Sequence, residues 1–179
     1  MLDSFDGTDG FEPVGGLIQA TDGNFYGTTY LGGASDEGTV FKITSAGTLT
    51  TLHSFCSESG CADGGTPGGA LVQGTNGTFY GATAGGGTND DGTVFSLAVG
   101  LGSFVETLPT SGKVGAAVTI LGTNLTGATS VTFNGKAATF TVVSSTEITT
   151  TVPTGATTGK VKVVTPSRTL SSNVSFRVL

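Results

Sequence analysis

The 179-residue sequence has no tryptophan, one methionine, one histidine, two cysteines and few charges, 11% of its side chains. Each scarcity excludes something. The longest strongly apolar, nearly uncharged stretch, residues 97–105, is about half of what a bilayer span needs and is broken by glycine, so no membrane span is expected. Clustered lysines and arginines are lacking, and nucleic acid is not an expected partner, because phosphate neutralisation requires them. Five prolines and glycines without a three-residue period exclude a collagen triple helix. No basic and apolar leader opens the sequence, so an exported chain would have lost its signal or be part of a longer protein. With 36% hydrophobic residues and 31 glycines, the chain is too apolar for a disordered one and too rich in turns for a helical one.

The charge is unevenly distributed. Residues 1–102 hold eleven acids and one base, Lys42, a balance of −10; residues 103–179 hold two acids and six bases, a balance of +4. Glycine divides 24 to 7 at the same place. Two domains of different kind, 1–102 and 103–179, are the simplest cause. Both cysteines lie close together, as Cys56-x4-Cys61. A disulfide closing this short loop is the favoured reading, and it implies an oxidising compartment. Free thiols and a metal site are the alternatives. His53-x2-Cys56-x4-Cys61 with Glu58 or Asp63 offers ligands, but zinc sites usually bring a second ligand pair, which this sequence lacks.

An internal repeat organises the first half. Leu17 and Leu71, Gln19 and Gln73, Phe25 and Phe79, and Phe41 and Phe95 are each 54 residues apart, while Ser4-Phe5 and Ser54-Phe55 recur at 50. The difference falls in the cysteine-bearing insertion. Each unit reads as four short strands, at 16–20, 25–29, 39–43 and 49–55 in the first copy, separated by Asp-Gly and Ser-Ala-Gly turns. Four strands in about 50 residues is the size of one propeller blade. Two blades cannot close a ring, so the remainder would come from further upstream repeats or from a homo-oligomer. Residues 2–5 correspond to a fourth strand and could complete a neighbouring blade. Asp22-Gly-Asn-Phe-Tyr-Gly-Thr-Thr29 and Gly38-Thr-Val-Phe-Lys42 resemble the GloVer tandem repeats of bacterial secreted and surface proteins. In the second copy Asn76, Thr78 and Ser96 replace the Asp, Asn and Lys. The resemblance implies an exported repeat protein and carries no catalytic residue with it.

From Phe104 the texture changes to alternating valine and threonine. Strands are expected near 118–120, 130–133, 138–142, 147–152, 160–164 and 173–178, and Asn134-Gly135 is a type I′ hairpin signal. Pro109-x-x-Gly112, Val118-Thr-Ile-x-Gly122-x-Asn124-Leu125, Val131-x-Phe133-Asn134-Gly135 and Gly159-x-Val161-x-Val163 resemble the IPT/TIG family of immunoglobulin-like domains. That resemblance implies an Ig-like β-sandwich with a structural role as spacer or adhesion module. The expected class is therefore all-β: two four-stranded propeller-blade-like repeats followed by an Ig-like (IPT/TIG) β-sandwich.

Residues able to do chemistry are sparse. His53 has no serine in a nucleophile-elbow setting, and Gly85-Gly-Gly87 lacks the lysine of a phosphate loop. Carboxylate pairs occur at Asp36-Glu37 and Asp90-Asp91; adjacent acids can ligate calcium, yet these recur with the repeat, as turn chemistry does. No cofactor is expected, with calcium as the alternative. Tyr26, Tyr30 and Tyr80 are the rings on which a glycan could stack, with the acids bonding its hydroxyls. The expected function is a non-catalytic secreted or cell-surface scaffold that meets a protein or glycan. The alternatives are a carbohydrate-binding two-blade protomer that closes a ring by homo-oligomerisation, and an accessory region of a larger extracellular carbohydrate-active enzyme.

Overall fold

The computed structural model describes residues 1–179, and the chain divides into two compact units. The first comprises Met1–Gly74 and Thr78–Leu101, and the second Gly102–Leu179 together with Thr75–Gly77. No helix is long and apolar enough to cross a membrane.

In the first unit, β1 (Ile18–Gln19), β2 (Phe25–Thr29), β3 (Thr39–Ile43) and β4 (Leu49–Ser54) form an antiparallel sheet in sequence order. A short 3-10 turn, Ser59–Cys61, leads to a second antiparallel sheet, β5 (Val72–Gln73), β6 (Phe79–Ala82) and β7 (Val94–Leu97). The ladders coincide at the sequence period. Phe25 faces Ile43 and Gly27 faces Phe41, as Phe79 faces Leu97 and Gly81 faces Phe95. The glycine of each pair gives space to the ring opposite: a Cβ on Gly27 would stand 2.8 Å from Phe41 Cζ, and one on Gly81 2.5 Å from Phe95 Cζ.

The second sheet has three strands where the repeat spacing predicts four. One period after β4 lie residues 103–108, and these belong to the second unit. Val105 and Thr107 are buried there, at 0% and 1% exposure, and β8 (Glu106–Leu108) pairs with a strand of that unit. A segment with one alternating face can fill only one core. Residues 2–5 are likewise in no strand, although they carry the sequence of a fourth one.

The two repeat sheets pack face to face. Ala20, Tyr26, Val40 and Phe55 from the first copy meet Leu71 and Phe79 from the second in one buried cluster. The Tyr26 and Phe79 ring centroids are 4.3 Å apart, and Phe55 meets Phe95 edge-on at 5.0 Å. Polar groups join across the same seam: Gln73 Nε2 donates to Thr21 Oγ1 at 3.1 Å, its Oε1 accepts the Thr21 N–H at 3.1 Å, and Thr28 Oγ1 donates to the Gly69 carbonyl at 3.0 Å. Each large apolar side chain buried here contributes roughly 1.5–3 kcal/mol.

In the second unit, β8 joins β10 (Ala117–Leu121), β13 (Phe140–Val142) and β14 (Glu147–Thr151) in the order β13-β14-β10-β8. The facing sheet has the order β12-β11-β15-β16, built from β11 (Ser130–Phe133), β12 (Lys136–Ala138), β15 (Val161–Val164) and β16 (Thr169–Ser171). A parallel pair, β9 (Ser111–Gly112) with β17 (Arg177–Val178), completes the unit. Val118, Ile120 and Ile148 from one sheet and Val131, Phe133, Val161 and Val163 from the other share one core, with Phe133 edge-on to Phe176 at 5.1 Å. Asn134 (φ 46°) and Gly135 (φ 85°) both take positive φ between β11 and β12, the I′ geometry expected of that dipeptide. The single strand predicted over 138–142 is two: β12 belongs to one sheet and β13 to the other, with the break at Thr139. β8, β9 and β16 were not expected, and only residues 177–178 of the predicted 173–178 are strand.

Candidate functional site

The acidic pairs lie in the loops that enter β3 and β7. Asp36 adopts φ 60° and its Oδ1 accepts the Gly32 N–H at 3.0 Å; Asp90 adopts φ 60° and its Oδ1 accepts the Gly86 N–H at 2.9 Å. Below each loop a threonine pair is joined through hydroxyls, Thr29 with Thr39 at 2.8 Å and Thr83 with Thr93 at 2.9 Å. Asp36 and Asp90 therefore close the same turn twice. Glu37 is half-buried and its carbonyl accepts the Thr66 N–H at 2.7 Å, whereas Asp91 is exposed. No group of three or more His, Cys, Asp or Glu side chains is placed to hold a metal ion.

Cys56 and Cys61 form a disulfide, so their sulfurs are bonded to each other and are not metal ligands. Asp63 organises the turn around it. Its Oδ2 accepts from the Ser57 hydroxyl at 2.7 Å, the Ser57 N–H at 3.1 Å and His53 Nε2 at 3.1 Å. Partial burial opposes ionisation of Asp63, but the bonds from Ser57 and Glu58 outweigh it and hold the carboxyl below its ordinary value. The His53 ring packs edge-on to Phe55 at 4.8 Å. His53 and Asp63 line a cleft of about 250 Å³ along β7 together with Val94 and Phe95. The sequence grouped His53 and Asp63 only as ligands of a candidate metal site with the two cysteines, and did not foresee the hydrogen bond that joins them beside a closed disulfide. The available signal was Asp9, 54 residues before Asp63, whose Oδ1 accepts the Asp6 N–H at 3.1 Å in the equivalent turn.

Removing the bridge by Cys56→Ser with Cys61→Ser should lower the stability of the first unit by about 2 kcal/mol, from the entropy of a six-residue loop. Denaturant titration measures this, and intact mass before and after reduction should differ by two hydrogens.

The three tyrosines are dissimilar. Tyr26 is 1% exposed and lies in the repeat core with its hydroxyl donating to Asp22 at 2.9 Å, so it is not open to a ligand. The second repeat sheet covers the face of β2 that carries Tyr26, which removes this ring as a stacking platform. Tyr30 is half-buried and Tyr80 is 39% exposed. Burial, then the hydrogen bond and negative charge of Asp22, push Tyr26 up to about 12. The folded state thus favours the neutral phenol. The stability this gives is complete below the ordinary tyrosine value of 10.0 and is lost as pH rises through about 12. Spectrophotometric titration should show one tyrosine ionising near 12, and Tyr26→Phe should remove that step.

No curated protein matches the chain. A solved structure, an auxiliary nutrient binding protein from Bacteroides ovatus ATCC 8483, is similar at 25% identity, with a TM-score of 0.37, over 41% of this chain and 20% of that one. The chain thus spans about a fifth of that protein's length. The profile of the Gloeobacter/Verrucomicrobia repeat matches residues 1–152, beyond the repeats and into the second unit. With the 54-residue register repeated in ladder, turn and core, the chain belongs to the Gloeobacter/Verrucomicrobia repeat family.

Proposed function

We propose that the chain is a non-catalytic extracellular scaffold. Each repeat acts as a propeller-type blade, and the second unit acts as an immunoglobulin-like, IPT/TIG-type spacer or adhesion module. The observation that carries this reading is the duplicated turn: Asp36 and Asp90 accept the same backbone N–H in the same loop, so the residues best suited to acid–base or calcium chemistry serve the backbone. A catalytic centre needs one tuned constellation, whereas loop architecture recurs with every repeat. The Cys56–Cys61 bridge supports an oxidising, extracellular setting. A protein or glycan at the cell surface is the partner class, and with Tyr26 buried a glycan would have Tyr80 and Tyr30 as its rings.

The test is functional silence of a defined kind. Calorimetric titration with calcium should give no saturable heat, and chromogenic glycoside and ester substrates should show no turnover. Turnover abolished by Asp36→Asn or Asp90→Asn, or micromolar calcium binding abolished by the same changes, would overturn the reading.

A further inference from the structure

The two repeat sheets bury opposite faces. The first turns Tyr26 (1% exposed), Thr28 (1%) and Val40 (0%) onto the second, whose equivalent face remains open: Val94 is 85% exposed, Val72 62% and Tyr80 39%. The second receives its neighbour on Leu71 (3%) and Phe79 (0%); the equivalent Leu17 of the first is 58% exposed and Phe25 is half-buried. The first unit therefore presents, on the outward faces of its two sheets, the two halves of the interface that it makes internally. That internal seam shows what each half fits.

The strands are complementary in the same sense. The outer edge of β3 is paired by β4, with His53 opposite Val40 and Ser54 opposite Thr39, and the Phe55 N–H donates to the Gly38 carbonyl at 2.9 Å. The corresponding edge of β7 is unpaired, because the segment that would cover it by repeat spacing builds the second unit. Residues 2–5 have the reverse lack. They match 52–55 at Leu2, Ser4 and Phe5, with Asp3 where His53 stands, and make no backbone hydrogen bond to a sheet. Their position is nevertheless that of a fourth strand: Phe5 meets Phe41 at 5.1 Å and 71°, as Phe55 meets Phe95 at 5.0 Å and 67°. Between this segment and the first sheet lies an apolar cleft of about 410 Å³ lined by Leu2, Phe5, Leu17, Phe41, Ile43 and Leu49.

We propose that a second copy of this chain satisfies both ends, head to tail. Residues 2–5 of one copy add as the fourth strand to β7 of the next, with Asp3 opposite Val94, Ser4 opposite Thr93 and the Phe5 N–H on the Gly92 carbonyl. The open Val72, Tyr80 and Val94 face then covers Leu17 and Phe25. Free strand edges are templates for such addition, and backbone pairing supplies affinity while the alternate side chains supply register. The contact is heterologous and propagates until it closes. With two blades from each chain, a ring of roughly four to eight blades takes about two to four copies. Only the closure rests on the blade reading above; the pairing rests on the two sheets. Because the first half carries −10, like charge opposes the association, which should strengthen with salt.

Sedimentation equilibrium of the 179-residue chain tests this. The expected mass is a small multiple of 17.6 kDa. Deleting residues 1–5 should give monomer, and Val94→Asp should weaken association about tenfold or more with an unchanged circular dichroism spectrum, since Val94 is exposed in the single chain. A register-specific readout is independent of mass: Asp3→Cys chains mixed with Val94→Cys chains should crosslink on oxidation, whereas Asp3→Cys mixed with the exposed control Asp91→Cys should not. An open, concentration-dependent series of masses that retains the crosslink would uphold the pairing and remove the closed ring. A chain that stays monomeric at about 0.1 mM, or an oligomer that neither the deletion nor Val94→Asp disturbs, would overturn the proposal.

Discussion

Phe79→Ala should destabilise the first unit by about 3–5 kcal/mol and leave the second untouched. The ring is 0% exposed, stacks on Tyr26 at 4.3 Å and belongs to the small cluster that holds the two repeat sheets together. Its removal opens a cavity between two narrow sheets, in the cluster where they meet. A loss of that magnitude is a large fraction of the roughly 5–15 kcal/mol that separates a folded domain from its unfolded chain. The second unit keeps its own core around Ile120, Phe133, Ile148 and Phe176, with no residue in common with the repeat cluster. Calorimetry should therefore resolve two transitions, of which Phe79→Ala shifts one and Phe133→Ala the other. If both transitions move together in either variant, the two cores are one cooperative system and the division of the chain fails.

The repeat was legible because its signals are local and duplicated. Asp-Gly turns, the Gly-Phe pair facing across a ladder and the Thr-Val-Phe run each dictate a conformation within a few residues, so β2, β3, β6 and β7 fall where the spacing puts them. The Asn134-Gly135 hairpin was legible for the same reason, since two consecutive positive-φ residues permit few other turns. What was not legible depends on competition over distance. The change of composition at 102 already sets residues 103–108 in the second domain, but does not show that they form a strand there, β8 on β10, with Val105 and Thr107 buried. The burial of Tyr26 depends on a sheet 54 residues away, and the roles of His53 and Asp63 on how a four-residue insertion folds back on β4. β12 and β13 read as one strand because alternation continues through Thr139, although Thr150 Oγ1 bonds the Thr139 carbonyl at 2.6 Å where the chain changes sheet.

Gly38→Ala is expected to be far more damaging than Gly23→Ala, although both residues adopt nearly the same backbone conformation. Gly38 has φ +93° and Gly23 φ +83°, a region that costs an L-residue about 1–2 kcal/mol. At Gly23 a Cβ would meet nothing within 4 Å, so the backbone penalty is the whole effect. At Gly38 the same atom would press on the Thr29 carbonyl oxygen and stand 2.7 Å from Pro67 Cδ and 2.8 Å from the Tyr30 carbonyl oxygen. None of these is the end of a flexible side chain. Gly38 also makes two backbone bonds, its N–H donating to the Gly32 carbonyl within the loop at 3.0 Å and its carbonyl accepting from Phe55 at 2.9 Å, so any shift that relieves the clash loosens the acidic loop and the residue that follows β4 together. The expected loss is about 2–5 kcal/mol for Gly38→Ala against about 1–2 kcal/mol for Gly23→Ala, read from denaturant midpoints of the first transition. Equal losses would mean that the loop between β2 and β3 gives way freely and that the duplicated Asp36 and Asp90 turns are not the rigid joints of the repeat.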